Sequence, residues 1–353
     1  MKSKRPIALD FFCGAGGLSL GFQQAGFDVV AAFDSDPIHV EAHAKNFPKS
    51  FSCCADVRTL TGKTVRKLAG LQKVDIVIGG PPCQGFSMIG KRKMDDPRNS
   101  LLEEYCRLIG ELSPSYFIIE NVAGLMYGGA RQILAHCLRK LRNDGFKWVT
   151  PIKILDAADY GIPQRRKRVI VLGYKRGEPK PEYPAPTRKI VTVKQAIGDL
   201  EVIGNDQTLF KSDVFSGRLG RASRYARQLR IGSQELTGCL RAVHTKEVVR
   251  RFKATRPGQV EPISHFPRLH ELAVSPTLRA GTPRQYGGFT AARPIHPKQH
   301  RCITVREAAR LHSFPDQFTF HPTQWHGFRQ VGNAVPPALA KIVAHQLIRL
   351  IKD

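Results

Sequence analysis

The sequence predicts an α/β protein, with a mostly parallel, doubly wound sheet and a second, smaller, strongly basic domain. Two observations carry the prediction. Short apolar runs alternate with helical patterns through the first 175 residues, the signature of strands joined by crossover helices. Beyond Tyr174 the periodicity weakens, and residues 188–305 hold 21 Lys and Arg against 8 Asp and Glu, half of the chain's +26 charge.

In chain order the strand candidates are 7–12, 29–33, 74–78, 116–120, 149–155 and 168–173. Helix candidates at 17–25, 37–46, 100–112 and 130–143 lie between them. Residues 176–187, rich in Pro, Lys and Glu, read as a linker. At 336–351 an amphipathic pattern, PALAKIVAHQLIRLI, predicts a helix that packs on the sheet. The division is therefore 1–187 for the first domain, completed by 325–353, with 188–324 as the basic domain.

A +26 charge selects a polyanionic partner, either nucleic acid or an acidic membrane surface. No stretch approaches the ~20 apolar residues of a membrane span, and the N-terminal MKSKRP carries no apolar leader, so a soluble, cytoplasmic protein is expected. The eight cysteines form no CxxC pair and no zinc-like spacing with His, so no metal is expected and most should be reduced, buried thiols.

Four segments bear chemistry, each at the carboxyl end of a strand or entering one, where open α/β sheets bind ligands. The first is 10–17, DFFCGAGG. A dinucleotide loop would need glycines at 14, 16 and 19, and residue 19 is Ser19. Phe12 can stack on a purine, Asp34 can accept from ribose hydroxyls and Asp56 from an adenine amino group. Asp34 alone also fits a plain surface turn, in DSDP. With no phosphate-binding GxxxxGK[ST] present, an adenosyl group without phosphates is the better fit. The second is 79–87, GGPPCQGFS: two prolines fix the backbone around Cys83, a candidate nucleophile once its pKa is lowered. The third is 117–124, FIIENVAG, where Glu120 can protonate a heterocycle nitrogen, or equally form a structural ion pair with an Arg. The fourth is 160–170, YGIPQRRKRVI. Strand alternation places Arg166 and Arg168 on one side, Arg165 and Lys167 on the other.

At these residues the chain resembles the DNA (cytosine-5)-methyltransferases. DFFCGAGG is similar to their cofactor loop, PPCQGFS to their nucleophile motif, and Glu120-Asn121-Val122 and 164–168 to their ENV and QRRxR motifs. Residues 304–310, with FPD at 314–316, resemble the ninth motif and 330–337, QVGNAVPP, the tenth. The resemblance implies a Rossmann-like class I methyltransferase domain plus a smaller basic target-recognition domain. It further implies that Cys83 attacks C6 of a cytosine flipped out of duplex DNA while Glu120 engages N3. Arg168 would contact O2 and Arg166 would support the site. S-adenosyl-L-methionine, leaving as S-adenosyl-L-homocysteine, would be lined by Phe12, Gly14, Gly16, Asp34, Ser35, Asp56, Val57, Pro81, Leu101, Asn333 and Val335. Gln84, Ser87, Thr277, Arg279 and Tyr286 would touch DNA. Partners implied are double-stranded DNA and a separate cognate restriction endonuclease, with no membrane and a monomeric enzyme. Arg218, Arg221, Arg224, Arg227 and Arg230 recur every third residue and, if helical, can track phosphates. Two rivals are an RNA-directed enzyme resembling the tRNA-modifying relatives, and a DNA-binding protein that has lost the chemistry.

Overall fold

The computed structural model describes residues 5–82, 100–187, 189–230, 235–282 and 293–352. Two compact units result: Met1–Asp156, Lys167–Ala185 and Leu339–Asp353 form the first, Ala157–Arg166 and Pro186–Ala338 the second. The sequence division has its joins at 187/188 and 324/325, whereas these units part at 185/186 and 338/339.

The first unit is an eight-stranded sheet in the order β3-β2-β1-β4-β5-β8-β6, with β7 also paired to β8. Its elements run β1 (Ile7–Phe11), α1 (Gly17–Ala25), β2 (Asp28–Asp34), α2 (Pro37–Asn46), β3 (Phe51–Cys54), α3 (Gly62–Ala69) and β4 (Ile76–Gly79). They continue with α4 (Ser100–Leu112), β5 (Tyr116–Val122), α5 (Gly128–Asn143), β6 (Phe146–Trp148), β7 (Lys153–Asp156) and β8 (Lys167–Lys175). Strands β1 to β5 pair in parallel, and β8 runs antiparallel to β5. The strand order reverses between β1 and β4, so the crevice lies beyond their carboxyl ends.

Central strands that are covered on both faces need continuous apolar runs. Accordingly β4 is buried throughout and β5 everywhere except Val122. One face, carrying Leu9, Phe11, Ala31, Phe33, Val77, Phe117, Ile119, Val169 and Val171, shares a core with α3, α4 and α5. Alternate residues Ala8, Ala32, Ile76, Ile78, Ile118 and Ile170 are buried on the opposite face.

Short elements escaped the sequence reading. β3 is four residues of FSCC with no fully buried position, too short and polar for a periodic signal. α3 is an eight-residue helix started by a Thr61 cap. The strand expected at 149–155 is observed only as β7 (Lys153–Asp156), and β6 (Phe146–Trp148) before it was not anticipated; both are antiparallel to β8. Residues 176–185 lack regular structure yet are tied to the sheet: Ser115 Oγ donates to Glu178, and the Tyr183 hydroxyl donates to Ile170 O.

The second unit holds α6 (Val193–Ile197), α7 (Arg224–Leu229), α8 (Lys246–Ala254), α9 (Val305–Leu311) and α10 (Gln324–Asn333). The arginine run is helical only within α7, because Ser223 caps the helix there. Arg218 and Arg221 precede it, and Arg230 pairs with the buried Asp199 instead of standing free for phosphates. α11 (Pro337–Lys352) closes the chain. Against expectation, Gln324–Ile351 is long and apolar enough to cross a membrane. It is two helices parted after Asn333, and half of its apolar window is buried.

Gly173 in β8 sits opposite Phe117, and a Cβ there would lie 2.0 Å from the Phe117 ring. Gly173→Ala is therefore expected to destabilise the protein by about 1–3 kcal/mol, seen as a lower urea midpoint at unchanged m-value.

Candidate active site

The glycine loop begins where β1 ends. Phe12 (φ 59), Gly14 (φ 54) and Gly16 (φ 105) all take the left-handed region, which turns the chain sharply into α1. Gly16 admits no side chain: a Cβ would lie 2.2 Å from the Phe47 ring, itself stacked on His43. Around Gly14 the same position is open, with no atom within 4 Å. Asp34 at the end of β2 holds the loop, accepting from Gly14 N and Asp36 N, both at 2.9 Å. Phe12 packs edge-on against Tyr105.

Beneath the loop runs a buried polar chain that the sequence did not announce. Ser19 Oγ lies 2.6 Å from Asp10 Oδ2 and 3.0 Å from His43 Nε2, and His43 Nδ1 lies 2.7 Å from Ser52 Oγ. Burial pushes Asp10 up to about 7, against the hydrogen bond from Ser19 and aided by the Asp34 charge. Burial also lowers His43 to about 4, opposed by Asp34.

The remaining cofactor candidates in this unit fall around the same strand ends. Both Asp56 carboxylate oxygens face the Arg58 guanidinium, which lowers the Asp56 pKa. Val57 is buried, Leu101 packs against the core, and Ser35 O accepts from the Cys54 thiol.

At the end of β4, two consecutive glycines are demanded by their neighbours. A Cβ on Gly79 would lie 2.7 Å from Tyr105, and one on Gly80 2.7 Å from Glu120 Oε2. The Glu120 carboxylate thus rests against a backbone with no side chain. Next to it Asn121 Nδ2 donates to Pro81 O at 3.0 Å, pinning the first proline of the turn. Cys83, Gln84 and Ser87 lie outside the described residues.

Glu120 Oε1 is 2.9 Å from Arg168 Nε, with both side chains about nine-tenths buried. Burial lowers the Arg168 pKa, and the charge and hydrogen bond of Glu120 oppose that shift. Removing one partner of such a pair leaves an uncompensated buried charge, typically costing about 3–5 kcal/mol. Both readings offered for Glu120 therefore meet at one residue: it ends a strand at the crevice, and it pairs with an Arg.

β8 begins at Lys167, one residue after Arg166. Arg166 belongs to the second unit, where it is buried and donates to Leu278 O (3.0 Å), Gly332 O (2.7 Å) and Ala334 O (2.9 Å). Gln164, absent from the sequence candidates, is fully buried and bonds to His312 and to Leu278 N. Thr277 Oγ1 donates to Arg165 O at 2.6 Å. A Cβ on Gly332 would lie 2.4 Å from Ala280 N. Thr277, Arg279 and Asn333 are exposed and Val335 is buried. Tyr286 lies outside the described residues.

Wild type should lose stability relative to Asp10→Asn as pH rises from about 4 through 7. A group with a raised folded pKa stabilises at low pH, and that contribution disappears above the folded pKa. Urea unfolding at stepped pH checks this; parallel curves for the two proteins would contradict it.

The sequence profile of the C-5 cytosine-specific DNA methylase family matches residues 8–349. The Type II methyltransferase M.XorII of Xanthomonas oryzae pv. oryzae is 49% identical, across 99% of this chain and 86% of its own length. M1.HphI of Haemophilus parahaemolyticus, also a Type II methyltransferase, is 30% identical across 97% of this chain and 86% of its own. A crystal structure described as a prophage-encoded DNA modification methyltransferase of E. coli superposes with a TM-score of 0.85 at 33% identity, covering 99% of this chain and all of the other. The Dnmt2 methyltransferase of S. pombe, 21% identical with a TM-score of 0.61, shares the fold.

Proposed function

The chain belongs to the C-5 cytosine-specific DNA methylase family, and from that membership we propose how its residues methylate a cytosine extruded from duplex DNA. S-adenosyl-L-methionine fits the β1 loop: left-handed glycines give close backbone access, Asp34 offers a carboxylate for ribose hydroxyls, and residues 10–17 contain no cation for a phosphate. When bound it supplies an electrophilic methyl group. Phe12, Gly14, Gly16, Asp34, Ser35, Val57, Pro81 and Leu101 would hold it, together with Asn333 and Val335. Asp56 would do so once its carboxylate is released from Arg58.

Cytosine C5 is a poor nucleophile until C6 is attacked, and neither atom is reachable inside the stack. Cys83, next in sequence after Pro81 and Pro82, attacks C6. Glu120 protonates or hydrogen-bonds N3, so the electron pair displaced from the 5,6 double bond makes C5 nucleophilic. Arg168 fixes the Glu120 carboxyl and faces the base O2. After C5 takes the methyl group, a solvent base takes the C5 proton as the Cys83 sulfur leaves by β-elimination, and any proton on N3 returns to Glu120, restoring the aromatic base. The buried contact of Glu120 with Arg168 over Gly80, just beyond the end of β4, is the observation that carries this reading.

The second unit would bear target recognition through Thr277, Arg279 and Tyr286, and Gln84 and Ser87 of the first would also touch DNA. Similarity to Type II methyltransferases supports a place in a restriction-modification system; a separate cognate restriction endonuclease and a monomeric enzyme complete the proposal.

A duplex carrying 5-fluorocytosine should trap the wild-type protein covalently in the presence of cofactor and should fail to trap Cys83→Ser; trapping of Cys83→Ser would refute the nucleophile. Glu120→Gln is expected to slow methyl transfer by about 10²–10⁴-fold while duplex affinity changes little. Normal turnover with lost binding would remove Glu120 from its role. Labelling of tRNA but not duplex DNA would overturn the substrate. Duplex affinity should fall with salt at a log–log slope of about −0.9 per phosphate contacted.

A further inference from the structure

In the second unit, residues 256–268 form a tightly stitched hairpin. Val260 pairs antiparallel with Pro267, Gly258 N donates to Arg268 O, Arg268 N to Gln259 O, and Glu261 N to Phe266 O. Arg268 anchors its base: the buried guanidinium donates to Phe252 O, Thr255 O, Pro297 O and Lys298 O. Glu261, 1% exposed, anchors the tip by accepting from Ser264 N and Oγ, with Arg251 Nε 3.8 Å away. His265 is held at φ 56 in the left-handed region, its N–H donating to Glu261 O.

That rigid frame displays two β-branched apolar side chains to solvent, Val260 at 54% and Ile263 at 65% exposure, with Gln259 exposed beside them. Of the five Lys and Arg in residues 248–270, Arg250, Lys253 and Arg256 are exposed, while the one carboxylate in that stretch, Glu261, is buried. Apolar side chains on a hairpin closed by the Val260–Pro267 bridge, flanked by exposed cations, suit a nucleic-acid groove better than a protein partner. The major groove is wide enough for a narrow hairpin, and it offers the thymine methyl to apolar groups and the adenine edge to Gln.

We propose that the 256–268 hairpin is a base-reading element, with Val260 and Ile263 against a thymine methyl and Gln259 on an adenine edge, so that the recognised sequence contains an A·T pair. The inference rests on the DNA-methylation reading above and adds which residues select the target.

Methylation of a randomised duplex library, sequenced for 5-methylcytosine, gives the wild-type target. The Val260→Ser/Ile263→Ser double variant is expected to lose preference at an A·T position by about fourfold per methyl contact. Gln259→Ala should relax the same or an adjacent position. Thermal midpoint and S-adenosyl-L-methionine affinity by calorimetry report that the variants are folded. A wild-type target without an A·T pair, or a target unchanged in both variants, overturns the proposal. So does a dimer by light scattering that the double variant disrupts while its target is retained, since the patch would then be a contact between copies. Should the wild type methylate no duplex DNA at all, it is the catalytic reading that fails.

Discussion

The contact between Glu120 and Arg168 constrains the sheet unit more than any other. A carboxylate and a guanidinium held out of water must meet in good geometry, or each costs several kcal/mol of lost hydration. Strand direction makes the meeting possible. Glu120 lies near the carboxyl end of β5 and Arg168 near the start of β8. Only an antiparallel β8 brings its first residues to the edge where β5 finishes; a parallel strand would deliver Arg168 to the opposite rim. The one reversal in the central sheet order is thus what assembles the pair. Gly80 completes it, since any side chain there would occupy the space of the carboxylate oxygen.

The second unit is held together differently. Its described helices are short, and one of its apolar clusters is only Phe252, Ile295 and Cys302 with two partly buried neighbours. Buried arginines supply the cross-links. Arg306 donates to Thr237 O, Pro315 O and Phe318 O, and Arg310 joins Asp316 to Asp199 and Ala196 O. Arg301 pairs with Glu307; burial alone would raise that carboxyl, and the Arg301 charge carries it down to about 2. Guanidinium groups offer five donors in a planar fork, so one side chain can fix several loop carbonyls that have no ladder partner.

What the sequence disclosed follows from this contrast. The Rossmann-like order was legible because both-faces-covered strands must be apolar throughout, and the ends of β1, β2, β4 and β5 then located Gly14, Asp34, Pro81 and Glu120. Arg166, one residue before β8, is instead fixed by three carbonyl acceptors distant in sequence, Leu278 O, Gly332 O and Ala334 O, which strand alternation does not announce. Gln164 and the Asp10–Ser19–His43 chain were missed because their partners lie far away in sequence, and a polar residue's burial leaves no periodic trace. The arginine repeat at 218–230 suggested one helix, but Ser223 begins α7 midway and Asp199 captures Arg230.

The composition of the sheet unit bears on how the protein is made. Its last piece, Leu339–Asp353, is synthesised only after the whole second unit, yet Ile348 abuts the position of Gly26 just beyond α1. A nascent chain that has extruded every strand still lacks the helix bearing buried Leu339, Val343, Ala344 and Leu347. Such late, long-range closure prolongs the interval in which apolar surface stands uncovered.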